Sequence, residues 1–189
     1  MPMSDWNEET ADWYADKYGE YPTNRLGVAL LELEPDVDIL DVGCGTAAAL
    51  REAATSVVSG RLVGVDPVAR MLEIARERSN SHPEGHRIEL VLGTADRLPV
   101  QDEGFDIVLA FDSMDHWPDR DAGLREIVRV LKPLGRLVVV KDGDIPGSPR
   151  ARSEITSCCE RQGLRELRFE DVREGDVRFA FWIFSKPAS

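Results

Sequence analysis

The stretch "ILDVGCGTAAAL", residues 39–50, is the feature that most constrains what this chain can fold into. A short apolar run ends in Asp41, glycines follow at 43 and 45, and small residues then open a helical stretch. A strand, a tight turn and a helix in this order point backbone N–H groups at a ligand. The segment therefore predicts a ligand-binding turn at the carboxyl end of a buried strand.

Six more apolar runs of strand length follow, and they alternate with helical patterns up to about residue 163. The runs cover residues 61–66, 87–93, 105–111, 135–142, 164–172 and 176–185. Continuous apolar strands between helices indicate a parallel sheet covered on both faces. The last two runs are joined by a short turn around Gly175, too short for a crossover helix, so they should pair antiparallel. We predict an α/β, Rossmann-like, doubly wound seven-stranded sheet, mostly parallel with an antiparallel last strand.

We predict a single domain over residues 1–189, with an N-terminal helical segment at 1–34 and a core at 35–189. The N-terminal segment is rich in aromatic residues, and Tyr14 and Tyr18 share one helical face. It is expected either to pack against the core or to act as a lid over the active site. Thr23 is a candidate cap for the helix that follows.

Composition excludes several classes of function. The formal charge is −12, and basic residues are scattered rather than clustered, which argues against a nucleic-acid partner. The three cysteines, at 44, 158 and 159, form no disulfide framework and no metal-ligand spacing. We find no signal peptide and no apolar run of membrane-spanning length, so we expect no membrane partner and a cytoplasmic location. The oligomeric state is not predicted.

Two cofactors fit the first turn. Gly43, Gly45 and Ala48 satisfy the dinucleotide fingerprint of NAD-binding proteins. Asp41, Gly43 and Gly45 satisfy most of the glycine motif of S-adenosylmethionine sites, with Ala47 where a third glycine would stand. If Ala47 needs a positive φ, it costs about 1–2 kcal/mol. The run of small residues favours the other alternative, in which Ala47 is already helical and costs little.

Acidic side chains favour S-adenosylmethionine. Asp41 precedes the glycines, where a carboxylate stabilises the ammonium of the methionine tail. Asp66, at the end of the second strand, would accept both ribose hydroxyls of either cofactor. Asp96 is placed to accept from the adenine amine, while Ala95 gives room to the ring. Met71 is expected either near the adenine or in the core.

From these motifs the chain resembles the class I methyltransferases, in particular the branch that includes the ubiquinone and menaquinone biosynthesis enzymes. The resemblance covers roughly residues 35–142 and extends to the loop "DSMDHW", residues 112–117. It implies a methyl donor site and, in that loop, His116 as a general base oriented by Asp115. Packing or capping by His116 beside Trp117 is the alternative. The cofactor-binding residues predicted in all are Tyr14, Tyr18, Asp41, Gly43, Cys44, Gly45, Asp66, Pro67, Met71, Ala95, Asp96, Ala110 and Phe111.

The function predicted is S-adenosylmethionine-dependent methyl transfer to a small-molecule acceptor, with no metal. The alternatives are a protein that binds the cofactor without catalysis and an NAD(P)-dependent oxidoreductase. Asp41 and Asp96 argue against the oxidoreductase, and no Tyr-x-x-x-Lys hydride-site pair follows. The identity of the acceptor is not encoded in these motifs.

Overall fold

The seven apolar runs form the seven strands of one sheet, and the predicted fold class is confirmed. The strands are β1 Ile39–Val42, β2 Leu62–Asp66, β3 Ile88–Leu92, β4 Phe105–Phe111, β5 Leu131–Asp142, β6 Arg165–Glu174 and β7 Val177–Ser185. Their order across the sheet is β3-β2-β1-β4-β5-β7-β6. All pairings from β3 to β5 are parallel, and β7 is antiparallel to both of its neighbours. The structure is a computed structural model that describes residues 7–142 and 149–188.

Within residues 7–142 and 149–188, six helices accompany the strands. They are α1 Glu8–Tyr18, α2 Pro22–Ala29, α3 Ala48–Ala53, α4 Ala69–Asn80, α5 Arg120–Val130 and α6 Pro149–Arg161. Short 3₁₀ turns lie at Gly85–Arg87 and Met114–His116. Residues 1–6 of the predicted N-terminal segment lie outside the described residues. Among the described helices, none combines the length and the apolar character needed to cross a membrane.

Side-chain caps begin two of these helices. Asn7 accepts from the N–H of Thr10 at 2.8 Å and starts α1, and Asp119 accepts from the N–H of Ala122 at 2.9 Å and starts α5. The prediction that Thr23 caps the second helix is wrong. Pro22 occupies the first turn of α2, and the Thr23 hydroxyl donates instead to Asp112 Oδ2 at 3.3 Å.

Alternating residues of the central strands feed two apolar cores, one on each face of the sheet. On one face Leu40 and Val42 belong to a core with α5 and α6. On the other, Ile39 belongs to a core with α2, α3 and α4. Burial on both faces explains why the strands are continuously apolar rather than alternating in polarity.

The connection direction reverses between β1 and β4, which are neighbours in the sheet. A crevice opens at such a point outside the carboxyl ends of the strands, and ligands of open α/β sheets bind there. The turn after β1 and the loop after β4 both lie at this reversal. Ser113 connects them, since its hydroxyl donates to the carbonyl of Val42 at 2.7 Å.

Gly43 is required at this contact for two reasons. Its φ is +75°, and a Cβ on it would lie 2.6 Å from Cβ of Ser113. Gly175, in the turn between β6 and β7, also has a positive φ of +59°, but no atom lies within 4 Å of its Cβ position. A substitution at either glycine therefore has the cost of a positive φ, and only a substitution at Gly43 adds the cost of steric contact.

We expect Gly43→Ala to lower the free energy of unfolding more than Gly175→Ala does. Both substitutions place an alanine in the left-handed region, at about 1–2 kcal/mol. Gly43→Ala adds overpacking against Ser113, which typically costs about 1–3 kcal/mol more. Urea denaturation of the two variants measures the difference. Equal losses would show that the turn and the loop after β4 are not tightly packed.

Candidate active site

The turn between β1 and α3 is tied to the end of β2 by backbone groups. The N–H groups of Gly43 and Cys44 both donate to the carbonyl of Val65, at 2.8 and 3.1 Å. Gly45 has a φ of +52°, and its N–H donates to the Asp66 carboxylate at 2.9 Å. These hydrogen bonds to β2 fix the backbone of the turn at the end of the sheet, and none of them involves a side chain of the turn itself.

Ala47 adopts the left-handed conformation, with φ 60° and ψ 30°, immediately before α3. The expectation that it is already helical is wrong. Its N–H donates to the carbonyl of Cys44 at 2.8 Å and its carbonyl accepts from the N–H of Arg51 at 3.0 Å, so Ala47 is the N-cap of α3 and not part of its first turn. The position thus retains the positive φ for which a third glycine is suited, and the alanine bears the associated strain. The turn remains intact despite that cost.

Asp66 organises the centre of the site. One carboxylate oxygen accepts from Gly45 N–H and the other from Val68 N–H, each at 2.9 Å. Each oxygen retains a second acceptor position, because a carboxylate offers about four lone-pair sites. Burial raises the pKa of Asp66 to about 6, although the two backbone hydrogen bonds oppose the shift.

Two other carboxyls near the turn have raised pKa values. Asp41 is only 2% exposed, and burial together with the charge of Asp66 raises its pKa to about 7. Burial, together with the nearby charge of Asp142, raises the pKa of Asp112 to about 6. Three carboxyls that are costly to ionise therefore surround one crevice, an arrangement that is characteristic of functional sites.

Two adjoining cavities occupy the crevice. The first, of about 100 Å³, is mainly apolar and lies between the end of β2 and the loops after β3 and β4. It is lined by Tyr14, Gly43, Gly45, Val65, Asp66, Pro67, Val68, Met71, Gly93, Thr94, Ala95, Phe111, Asp112, Ser113, His116, Trp117 and Pro118. Its walls suit a flat, weakly polar ring.

The second cavity, of about 380 Å³, is mainly polar and lies under the N-terminal segment. It is lined by Tyr14, Tyr18, Gly19, Tyr21, Asn24, Gly43, Cys44, Gly45, Thr46, Ala48, Met71, Phe111, Asp112, Asp115, His116, Lys141 and Asp142. Seven residues line both cavities, so a ligand can extend from the apolar space into the polar one.

Most of the predicted site residues meet at these cavities, and three do not. The residues in the cavity walls are Tyr14, Tyr18, Gly43, Cys44, Gly45, Asp66, Pro67, Met71, Ala95, Phe111, Asp115 and His116. Asp41 and Ala110 are buried beneath the walls, and Asp96 is exposed beside Ala95 rather than in the lining. Met71 is buried in a small core with α1 and also lines both cavities, so the core alternative is confirmed and its place near the adenine stays a prediction.

The loop after β4 supplies the predicted catalytic residues. His116 lines both cavities. Asp115 accepts from Arg120 at 2.8 Å and also from Lys141. Burial raises the pKa of Asp115, but the hydrogen bond from Lys141 and the charges of Lys141 and Arg120 outweigh it and lower the pKa below its usual range. Asp115 is therefore a charge-paired carboxylate at the rim.

Several residues in the walls were not assigned from the sequence, and Asp112 is the most important. It follows the last residue of β4, where an acid at a strand end is itself a signal of a site. Tyr21, Asn24, Lys141 and Asp142 come from segments far apart in the chain. No motif connects them, so only the fold brings them together. Within the described residues, no three potential metal ligands cluster.

The N-terminal segment closes the second cavity. Thr46 donates to the carbonyl of Gly19 at 2.5 Å, and Arg70 binds Asp12 at 2.8 Å. Glu20 receives Arg51 at 2.5 Å and Arg78 at 2.8 Å. These contacts attach α1 and the turn after it to α3 and α4, on the rim of the crevice.

Comparison with known proteins agrees with this geometry. Residues 40–139, just over half of the chain, match the family model described as a methyltransferase domain. The chain is 39% identical over 124 residues to methyltransferase GfsG of Streptomyces halstedii, which covers 64% of this chain and 43% of that protein. It is 39% identical over 119 residues to a demethylmenaquinone methyltransferase of Symbiobacterium thermophilum, covering 62% of this chain and 47% of the relative.

The fold is also similar to solved structures. A SAM-dependent methyltransferase from Aquifex aeolicus superposes with a TM-score of 0.77 at 18% identity, over 96% of this chain and 100% of that one. At this identity the similarity concerns the fold alone. The chain spans about half the length of the two curated relatives above, 43% and 47%.

We expect the protein to become more stable as the pH falls from 7.5 to 5.5. The pKa values of Asp41, Asp66 and Asp112 are raised to about 7, 6 and 6, above the value of about 3.9 in an unfolded chain. In this window the native state therefore binds more protons than the unfolded state, so stability decreases as the pH rises. The ion-paired carboxyls titrate at lower pH and contribute little here.

Urea denaturation at the two pH values measures this effect. The free energy of unfolding should be higher at pH 5.5 by more than about 1 kcal/mol, since one unit of pKa shift corresponds to about 1.4 kcal/mol. Asp66→Asn should reduce the difference. A stability that stays level or rises with pH would contradict the raised pKa values.

Proposed function

The chain belongs to the S-adenosylmethionine-dependent methyltransferases, and we propose that it transfers the methyl group of that cofactor to a small-molecule acceptor. The observation that carries this proposal is the pair of joined cavities at the glycine turn, one apolar and one polar, with Asp66 in the wall of the apolar one. A cofactor with an adenine at one end and an amino-acid tail at the other matches that change in polarity.

The residues present fit this cofactor. The free acceptor positions of Asp66 suit the two ribose hydroxyls, and the glycine turn leaves room beside it, since a Cβ on Gly45 would meet only Met71, at 3.4 Å. Ala95 and Phe111 border the space proposed for the adenine. Asp96, which is exposed next to Ala95 and outside the lining, is proposed to accept from the exocyclic amine. When bound, the cofactor supplies an activated methyl group.

This chain then contributes mainly alignment, because a sulfonium methyl needs no further activation. His116 lies in the wall shared by both cavities, where it can accept a proton from the nucleophile of the acceptor. Asp115, whose carboxylate is paired with Lys141 and Arg120, is proposed to orient His116. A protein that binds the cofactor without catalysis would show no turnover, so substituting His116 or Asp115 would leave nothing to change.

We further propose that residues 1–34 act as a lid on a core of 35–189 within one domain. Tyr14 and Tyr18 line the second cavity. The helix that contains them, α1, is attached to the core by ion pairs and a small apolar contact with α4. The helix α2 packs into the main apolar core. Cytoplasmic location stays a proposal; the three cysteines are free thiols, as a reducing compartment favours.

We expect calorimetry to detect binding of S-adenosylmethionine and of S-adenosylhomocysteine, and none of NAD. The cavity provides carboxylates where NAD would place a pyrophosphate. Heat from NAD, with none from either form of the methyl donor, would refute the proposed cofactor.

Among variants, Asp66→Ala should lose more affinity for the cofactor than Asp96→Ala, because Asp66 is expected to accept two hydrogen bonds of about 1.5–3 kcal/mol each and Asp96 one.

We expect hydrogen exchange in α1 to slow when S-adenosylhomocysteine is added, because a lid gains burial from the ligand. The amides of β5 in "RLVVV", residues 136–140, serve as the internal reference. Protection of α1 equal to that of β5 without ligand, and unchanged with it, would mean that the segment is structural packing only.

A further inference from the structure

We propose that the methyl acceptor is an amine, held in the second cavity with its nitrogen at the Asp112 carboxylate and its positive charge against the rings of Tyr14, Tyr18 and Tyr21. This inference rests on the proposed function and specifies its substrate class. It comes from three separate observations: how Asp112 is held, how charge is distributed in the cavity, and where the tyrosine rings lie.

Asp112 is held rigidly by groups behind it. Its Oδ1 accepts from the N–H of Asp142 at 2.6 Å, and its Oδ2 accepts from the hydroxyl of Thr23 at 3.3 Å. Thr23 is fully buried, so this anchor is shielded from water. Each oxygen keeps a second acceptor position, and the residue lines both cavities. Asp112 also adopts a φ of +50°, a conformation that is unusual for a non-glycine residue and recurs at functional sites.

The charged groups of the second cavity do not balance. Among the residues that the structure describes, its walls contain Asp112, Asp115 and Asp142, against one lysine, Lys141, and the imidazole of His116. Lys141 and Arg120 both pair with Asp115. Among the described residues, Asp112 and Asp142 have no cationic partner within ion-pair distance. The cofactor carries one net positive charge, at its sulfonium, because the ammonium and the carboxylate of its methionine tail cancel. That charge can match one of these carboxylates, which leaves the other for a second cation.

This negative charge raises the pKa values of two neighbouring tyrosines. The pKa of Tyr14 is raised to about 12, first by burial and then by Asp112. Asp142 raises the pKa of Tyr21. The same field that disfavours a phenolate here disfavours an anionic acceptor, such as a carboxylate, a phosphate or an enolate, and favours an ammonium ion.

Three aromatic rings border this field, and Lys17 Nζ lies over one of them, 5.1 Å from the centroid of Tyr18. The ring centroids of Tyr14 and Tyr18 are 5.1 Å apart, and those of Tyr18 and Tyr21 are 6.3 Å apart. All three side chains line the second cavity. Faces of aromatic rings attract cations, and they do so more strongly where water is excluded. Aromatic rings beside an anchored carboxylate recognise an alkylammonium better than a neutral alcohol.

The reaction step is balanced with the groups named. The bound ammonium gives one proton to His116 and becomes a neutral amine. Its nitrogen lone pair then forms a bond to the methyl carbon, the carbon–sulfur bond breaks, and that electron pair remains on sulfur, which becomes a thioether. The product is an N-methylated ammonium, which Asp112 still faces, and His116 returns its proton to water.

Tyramine tests the inference, because it carries an amine and a phenol on one molecule. The intact protein is incubated with S-adenosylmethionine and tyramine, and fragmentation in the mass spectrometer locates the added methyl group. Methylation at nitrogen is the expected result. Methylation at the phenolic oxygen or a ring carbon would overturn the amine assignment and leave the proposed function standing.

A binding comparison covers the case of no turnover with tyramine. Benzylamine and benzyl alcohol are titrated into the protein loaded with S-adenosylhomocysteine. We expect the amine to bind at least 10-fold more tightly, and equal binding or none by the amine would overturn the inference. If S-adenosylhomocysteine itself does not bind, the proposed function fails and this inference fails with it.

Asp112→Asn removes the charge with little change of shape and should weaken benzylamine binding more than 10-fold. Asp121→Asn, at an exposed ion pair outside both cavities, is the matched control and should leave it within twofold. If Asp112→Asn does not fold, Asp142→Asn replaces it, with a smaller loss of at least threefold. Unchanged amine binding in the folded variant would contradict the role of the carboxylates.

Discussion

The hydrogen bonds from Gly45 and Val68 to the buried Asp66 carboxylate are the interactions on which the site depends. They connect the glycine turn after β1 to the beginning of α4, across the carboxyl ends of two parallel strands. A neutral side chain with one acceptor could not satisfy both N–H groups and still present acceptors to a ligand. The crevice therefore takes its shape from an ionisable group, and its geometry and its electrostatics have the same origin.

Burying ionisable groups in this way lowers the stability of the protein. Asp41, Asp66 and Asp112 all have raised pKa values, so each lowers the stability of the ligand-free protein at neutral pH. A cationic ligand would offset part of this cost by stabilising the ionised forms. The chain as a whole carries a charge of −12, but this cost comes from the few carboxylates that the fold places at one crevice. Proteins accept such local destabilisation at sites that bind or react.

The N-terminal segment combines two properties that are usually separate. Ala11 and Ala15 are buried against α4, which fixes the position of α1. The other contacts of α1 are mostly with charged side chains that remain partly exposed, and such contacts contribute little stability. The helix α2, in contrast, is buried in the main apolar core. Tyr14 and Tyr18 of α1 line the second cavity, so part of its wall belongs to the less firmly attached of the two helices.

The sequence by itself determined the sheet, because periodicity and turn residues are local: the seven strands, the final hairpin and the turn at Gly43 and Gly45 could all be predicted. It also identified most of the wall around the glycine turn, since those residues follow strands directly. It did not determine the conformation of Ala47, which depends on how the turn closes onto α3, or the partner of Thr23. Only the tertiary structure brought Asp112, Asp142 and Tyr21 together. Their proximity depends on the order of the strands and on how α1 and α2 pack near the carboxyl ends of β4 and β5. Those are long-range contacts, and no local pattern of residues specifies them.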